Sequence, residues 1–531
     1  MTSPLTRDGV TDAFHVYDTT LRDGSQMEGL SLSVNDKLAV ARHLDDLGVG
    51  FIEGGWPGSN PKDAEFFRRA RTELSLGTAQ LAAFGSTRRA GAIAADDPQV
   101  AALRESGAGV VTLVAKADVR HVERALRTTR EENLAMVRDT VAHLRSEGQR
   151  VFLDAEHFFD GYRADRSYAI EVLLAAAEAG ADVAVLCDTN GGMLPHQLAD
   201  VVHDVGGEGL RVGIHAHDDT ACAVANSLAA VDAGATHVQG TANGYGERSG
   251  NADLFSVVAA LEVKLDRRVL PPGRLVELGR VAHAVAEVAN IAPDAHQPWV
   301  GASAFAHKAG LHVSAIQKDP DLYQHCDPAV VGNDMRLIVS ELAGRATVEL
   351  KGKALGLDPD RDTVGRVLSR VKDLESAGYS FEAAEASFEL LLREEMGERP
   401  RFFDLESWRV IVEHRAGTVV SEATVKLHAK GERIVATGEG NGPVNALDNA
   451  LRLALCELYP DLAKLELVDY KVRIVSGAHG TGAVTRVLVE TSDGVTEWDT
   501  VGVHENVIAA SWQALDEAYT SGLLKQGHTA P

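Results

Sequence analysis

Cysteine is scarce in this chain of 531 residues: Cys187, Cys222, Cys326 and Cys456 are scattered, and no two form a C-x-x-C pair. That excludes a disulfide framework and a thiolate zinc site, and it fits a reducing cytoplasm, the expected compartment. Long apolar runs are missing too. None approaches the ~20 residues that a membrane-spanning helix needs, and the opening stretch MTSPLTRDGVTDAFHVYD lacks the apolar core of a signal peptide. Basic residues are outnumbered, with Lys+Arg 52 against Asp+Glu 77 and a net charge of -25. Such a surface repels phosphate backbones and anionic membranes, so neither nucleic acid nor a membrane is an expected partner. Finally, no G-x-G-x-x-G follows the first strand-like run, which argues against a doubly wound dinucleotide-binding sheet.

What is present is ordinary globular composition, 45% hydrophobic and 24% charged, in a chain long enough for roughly two to four domains. Strand-like runs fall at 14–19, 50–54, 81–85, 109–115, 151–155, 183–187, 212–216 and 237–241. Most are rich in Val, Ile, Leu or Ala, as parallel strands buried on both faces require. Amphipathic helical stretches such as 34–47, 131–147, 168–179 and 221–233 lie between them, several followed by glycine at the expected C-cap. This alternation predicts an α/β fold with a TIM (β/α)8 barrel over residues 8–270. Pro-Pro-Gly at 271–273 suggests a boundary, followed by helical linker subdomains over 271–398. From 399 to 525 the pattern turns strand-rich and repeats, two successive β-β-β-α units that predict a duplicated α+β domain.

Active sites of TIM barrels gather at the C-terminal ends of the strands, and chemically capable residues accumulate there. His215 and His217 stand two apart on a predicted strand, so both imidazoles project to one face. A pair of core histidines is the plainer alternative. Strands one, seven and eight adjoin once the barrel closes, so Asp23, His215, His217 and Asn251 are expected to converge. Their mixed oxygen and imidazole donors suit Mn2+, Mg2+, Zn2+ or Co2+. Arg22 is either a salt bridge at the barrel mouth or a stabiliser of negative charge on a substrate oxygen. Glu156 is a solvated loop acid or a proton-transfer group. Thr189 caps the next helix or donates to a substrate carboxylate.

The runs DTTLRDGSQ (18–26), HAHDDT (215–220) and NGYGERSGN (243–251) resemble the DRE-TIM metallolyase superfamily, which includes the isopropylmalate, homocitrate and citramalate synthases. EGGWPGSNPKD (53–63), DAEHFFDGY (154–162), CDTNGGMLPH (187–196), AFAHKAGLHVSAI (304–316) and YQHCDPAVVGN (323–333) are similar to the longer bacterial citramalate synthases in particular. The region after 400 resembles the regulatory domain shared by isopropylmalate and citramalate synthases, so the likeness spans essentially the whole chain. It implies a divalent metal held by Asp23, His215 and His217, with Asn251 as a fourth ligand or just behind the ligands. It places Arg22 at the keto oxygen, Thr189 at the keto-acid carboxylate, Gln26 among the substrate-binding residues and Glu156 beside the acetyl group. His312 and Tyr323 match residues that reach into a neighbouring subunit's barrel and take part in proton transfer. Three places depart from the family pattern: Asp218 adds an acid beside a proposed ligand, Ser249 replaces a usual cysteine, and 114–120 differs.

The implied reaction is a Claisen condensation of acetyl-CoA with pyruvate that yields citramalate and CoA, a step toward isoleucine. Either Glu156 or His312, the latter through a water and with Tyr323, takes the proton. A homodimer or higher oligomer is expected, with a branched-chain amino acid, isoleucine foremost, as inhibitor. The alternatives are a 2-isopropylmalate synthase using 2-oxoisovalerate, a metal-dependent C–C lyase or aldolase on the same scaffold, and a non-catalytic amino-acid sensor.

Overall fold

The computed structural model describes residues 12–415, 417–475 and 483–530; the expected barrel start at residue 8 lies outside them. The chain divides into two compact units. One runs up to Phe305 and takes in Cys326–Asp334; the other comprises Ala306–His325 and the chain from Met335 onward.

In the first unit eight parallel strands close into a barrel in chain order. They are β1 (His15–Asp18), β2 (Phe51–Gly55), β3 (Gln80–Ser86), β4 (Val110–Lys116), β5 (Arg150–Glu156), β6 (Val183–Asp188), β7 (Val212–Ala216) and β8 (His237–Gly240). Every one lies within a residue of its expected bounds, because runs such as VAVLCD are buried on both faces and stand out against the polar helices. Helix Val34–Leu47 shows how the boundaries arise. Ser33 and Asp36 form a capping box at its start, and Gly48 ends it with φ +95°. Helix Leu278–Ala289, beyond the Pro-Pro-Gly, contributes Leu278, Val281 and Val285 to the same core as Val16 and Leu44.

The barrel interior is filled by Tyr17, Phe51, Phe152, Val183 and Val185, yet it also buries His15, Glu53, Asp154, His237 and Gln239. Gly213 on β7 makes room for this set, since a Cβ there would sit 2.9 Å from the His237 ring. Nδ1 of His15 meets Nδ1 of His237 at 3.2 Å. Burial, and then the charge of Arg211, holds His15 down at about 4. Burial, and then His15, holds His237 well below its usual value. A ring whose folded pKa is depressed takes up its proton first in the unfolded chain. Stability is therefore full above about pH 6.5 and is lost as pH falls toward 4, by about 3 kcal/mol for His15 alone. The barrel's thermal midpoint will accordingly drop across that window, and His237→Asn will make the slope shallower. An unchanged slope in calorimetric scans of that variant would remove these rings as its source.

The second unit begins with the short parallel pair β9 (Ala306–His307) and β10 (Arg336–Leu337). Helices Arg345–Ala354, Arg361–Ser376 and Glu385–Met396 follow, around a core of Val348, Val364, Val367, Phe381 and Phe388. Then come two antiparallel three-stranded sheets, β11 (Phe403–Arg415), β12 (Thr418–Ala429), β13 (Glu432–Gly440) and β14 (Glu466–Ile474), β15 (Thr485–Ser492), β16 (Glu497–His504). Helices Pro443–Leu455 and Val507–Lys525 complete the two β-β-β-α repeats. Strands β11 and β12 are long, at 13 and 12 residues. Their outer faces carry polar residues such as Glu406, Arg409 and Glu422, which dilute the apolar signal without interrupting the ladder. Among the described residues no helix is long and apolar enough to cross a membrane.

Candidate active site at the barrel mouth

The strand ends assemble one buried cluster. Asp23 stands just beyond β1, His215 lies in β7, and His217 follows two residues later on the same face. Nε2 of His215 is 3.0 Å from Oδ2 of Asp23, and Nε2 of His217 is 3.7 Å from the same oxygen. The two Nε2 atoms are 3.3 Å apart. Among the described residues this is the one group of three or more His, Cys, Asp or Glu whose donor atoms come within 4.8 Å of one another. Burial would raise the Asp23 pKa, but Arg22 and both histidines outweigh it and hold the carboxyl well below its usual range. Burial likewise opposes the charge on His215, yet Asp23 turns its net shift upward. His217 is lowered to about 4 by burial and then by the neighbouring His215. One fixed anion and two imidazole nitrogens aimed at a common point, out of water, fit a divalent cation of intermediate softness.

Asn251 is brought beside His217 by an antiparallel bridge between the two residues. Its Nδ2 donates to the Tyr245 carbonyl at 3.2 Å, a position Gly246 permits because a Cβ there would meet that nitrogen at 2.1 Å. Its Oδ1 is buried without a hydrogen-bond partner, as is Nδ1 of His217. Asp218 turns away: its carboxylate accepts from the Ala223 amide at 2.8 Å, at the start of helix Ala223–Asp232. Asp219 pairs with Arg248. Ser249 is exposed.

Arg22 is clamped beside the cluster. Its Nε donates to Oε2 of Glu53 at 2.6 Å, its Nη1 lies 3.4 Å from Oδ2 of Asp23, and its guanidinium stacks 3.9 Å from the Phe84 ring centroid. Glu53 is fully buried and also accepts from Tyr17 at 2.6 Å and Thr19 at 2.5 Å. Arg22, Asp23, Phe84, His215 and His217 open onto a cavity of about 580 Å³ that Gln26, Lys116, Glu156 and Thr189 also line, a size suited to a small ligand. Glu156 forms an ion pair with Lys116, its register partner on β4. Thr189 does not cap the following helix, Pro195–Gly206, whose N-cap is Leu194. Its Oγ1 instead accepts from the His157 amide at 2.8 Å, which leaves the hydroxyl proton free to donate.

His312 and Tyr323 belong to the second unit. Their rings stack with centroids 4.1 Å apart, and Tyr323 is 42% exposed. Sequence reasoning passed over Glu53, Lys116, Asp154, Gln239 and the cavity-lining Arg88. The available signal was a polar or charged residue within an apolar strand run, as in FIEGG and HVQG.

Three family models tile the chain: HMGL-like over 13–285, the homocitrate synthase post-HMGL domain-like over 299–378, and the LeuA allosteric (dimerisation) domain over 382–523. Among curated proteins, the (R)-citramalate synthase of Streptomyces coelicolor is 68% identical across 97% of this chain and 98% of its own. That of Synechocystis is 49% identical across 96% of each chain. That of Aquifex aeolicus is 48% identical across 97% of this chain and 99% of its own.

Proposed function

The chain belongs to the HMGL-like family, among its (R)-citramalate synthases, and from that premise we propose that it condenses acetyl-CoA with pyruvate to give citramalate and CoA. The observation that carries the reading is the buried convergence of Asp23, His215 and His217 beside the clamped Arg22. A divalent ion bound by that triad (Mn2+, Mg2+, Zn2+ or Co2+, with Asn251 adjoining it) supplies Lewis-acid polarisation of the 2-oxo acid.

The chain's own residues do the rest. Thr189 donates its free hydroxyl proton to the pyruvate carboxylate, and Gln26 contributes to the same binding wall. The acetyl methyl group loses a proton, its carbon bonds to C2 of pyruvate, and the keto oxygen becomes an alkoxide. Arg22, immobilised by Glu53 and Phe84, stabilises that charge as it forms. The alkoxide is then protonated, and water cleaves the thioester to release CoA. Glu156 is engaged by Lys116 and orients the acetyl end of the site. The proton leaving the acetyl methyl group passes to His312, paired with Tyr323, from a neighbouring subunit of a homodimer or higher oligomer, and the same ring returns a proton to the alkoxide. The C-terminal unit, matching the LeuA allosteric domain, binds isoleucine as a feedback inhibitor. The enzyme works in the cytoplasm.

One assay tests these points: thiol release from acetyl-CoA over a panel of 2-oxo acids, with and without EDTA and isoleucine. Pyruvate will show the highest kcat/KM, EDTA will abolish turnover, and isoleucine will lower it. Each extra methyl group that the cavity must reject is worth about 1–3 kcal/mol, or roughly 10- to 200-fold. Preference for 2-oxoisovalerate would transfer the assignment to isopropylmalate synthesis, and full activity in isoleucine would leave the C-terminal unit a dimerisation module.

A further inference from the structure

Behind the triad, inside the barrel, stands Gln239 on β8, with no exposed surface. Its Oε1 lies 2.7 Å from Nδ1 of His215. Its Nε2 lies 2.9 Å from Oδ1 of Asp154 and 3.3 Å from Nε2 of His237. An amide oxygen only accepts and an amide nitrogen only donates, while a carboxylate oxygen only accepts. Burial pushes the Asp154 carboxyl up to about 7; in its ionised form the reversed amide would set two oxygens against each other 2.9 Å apart across the Asp154 contact. The nitrogen therefore faces Asp154, the oxygen faces His215, and Nδ1 of His215 carries hydrogen. An imidazole donating from Nδ1 keeps its Nε2 lone pair for a metal, and Nε2 is the atom 3.0 Å from Asp23.

The far side of the amide accommodates the same orientation. Its second hydrogen points to Nε2 of His237, which must accept. Nδ1 of His237 then donates to Nδ1 of His15 at 3.2 Å. Burial keeps both of these rings neutral near pH 7, so each has the one acceptor nitrogen that the arrangement needs. Three buried partners thus pin one amide in one orientation.

We propose that Gln239 is a positioning residue which, anchored by Asp154 and His237, locks His215 in the tautomer that presents Nε2 to the metal. This rests on the reading of Asp23, His215 and His217 as ligands. Without the amide oxygen, the Nδ1 hydrogen of His215 loses its acceptor in a dry interior, and the ring loses the contact that fixes its rotation.

The test is calorimetric titration of Mn2+ into metal-free full-length protein: wild type, Gln239→Met, of similar length with no acceptor, and Gln239→Glu, which keeps one. Gln239→Met is expected to raise the Kd about 10- to 100-fold, and Gln239→Glu to recover most of that loss. A Met variant that binds like wild type, or a Glu variant as weak as the Met variant, overturns the inference while the metal site stands. A wild type that binds no Mn2+, Zn2+ or Co2+ overturns the ligand reading with it. Should the Met variant fail to fold, neutron diffraction from metal-loaded wild type decides. Amide deuterons facing Asp154 and His237 with a deuteron on Nδ1 of His215 support the assignment, and amide deuterons facing His215 reject it.

Discussion

Asp23→Asn will lower kcat/KM by at least about a thousandfold, roughly 4 kcal/mol of lost transition-state stabilisation. Asp23 is the one anion in the triad and the only member whose negative charge offsets a bound cation. The asparagine has nearly the same shape, so a steric account of the loss is closed off. Its neutral oxygen is a far weaker partner for a divalent ion and removes one of the two carboxylates that pair with Arg22, the one 3.4 Å away. Part of the effect will appear in metal content and part in turnover. Elemental analysis of the purified variant should show depleted metal, and saturating Mn2+ should restore only a fraction of activity. The circular dichroism spectrum should match wild type, because the hydrophobic core around the barrel does not depend on this side chain. A variant that turns over within tenfold of wild type while metal-free would sink the metal-centred mechanism as a whole.

The barrel was legible because its signal is repetitive. Eight short apolar runs, each followed by an amphipathic helix and often a glycine, overdetermine the closed sheet, and the strands fall within a residue of expectation. The convergence of Asp23, His215 and His217 was legible for a related reason. Strand period places both imidazoles on one face, and barrel closure brings β1 beside β8 and β8 beside β7. The layer beneath was not legible. Glu53, Asp154 and Gln239 lie in strands whose other residues read as core, and nothing in one sequence says that a lone polar residue there has found partners on another strand. Glu53 answers Arg22 from β2, while Asp154 answers Gln239 across the barrel from β5 to β8. Such pairings are set by the interior registers of a closed sheet, which spacing along the chain does not encode. The Lys116–Glu156 pair escaped for a simpler reason: both sit at strand ends, where a charge reads equally well as solvated.

Arg22→Lys will lower kcat about 100- to 1000-fold while changing the KM for pyruvate only a few-fold. The charge is retained, so a purely Coulombic role would leave activity close to wild type. Geometry decides otherwise. The guanidinium uses Nε to hold Glu53 at 2.6 Å, stacks its plane on Phe84 and turns the other end of the fork toward the triad. A lysine ammonium is a point donor that cannot serve both ends and does not stack in the same way. It will settle on buried Glu53, whose two oxygens already attract Tyr17 and Thr19, and withdraw from the place where the alkoxide forms. The missing interaction is one that strengthens as negative charge develops, so its loss falls on kcat rather than on ground-state binding. Glu53→Gln separates positioning from contact, since it leaves the guanidinium in place but loosens its clamp. A milder fall, about tenfold, is expected there, with the same near-constant KM. If steady-state kinetics of Arg22→Lys showed instead a large rise in KM at unchanged kcat, the arginine would be a ground-state carboxylate binder, and the alkoxide would need another partner.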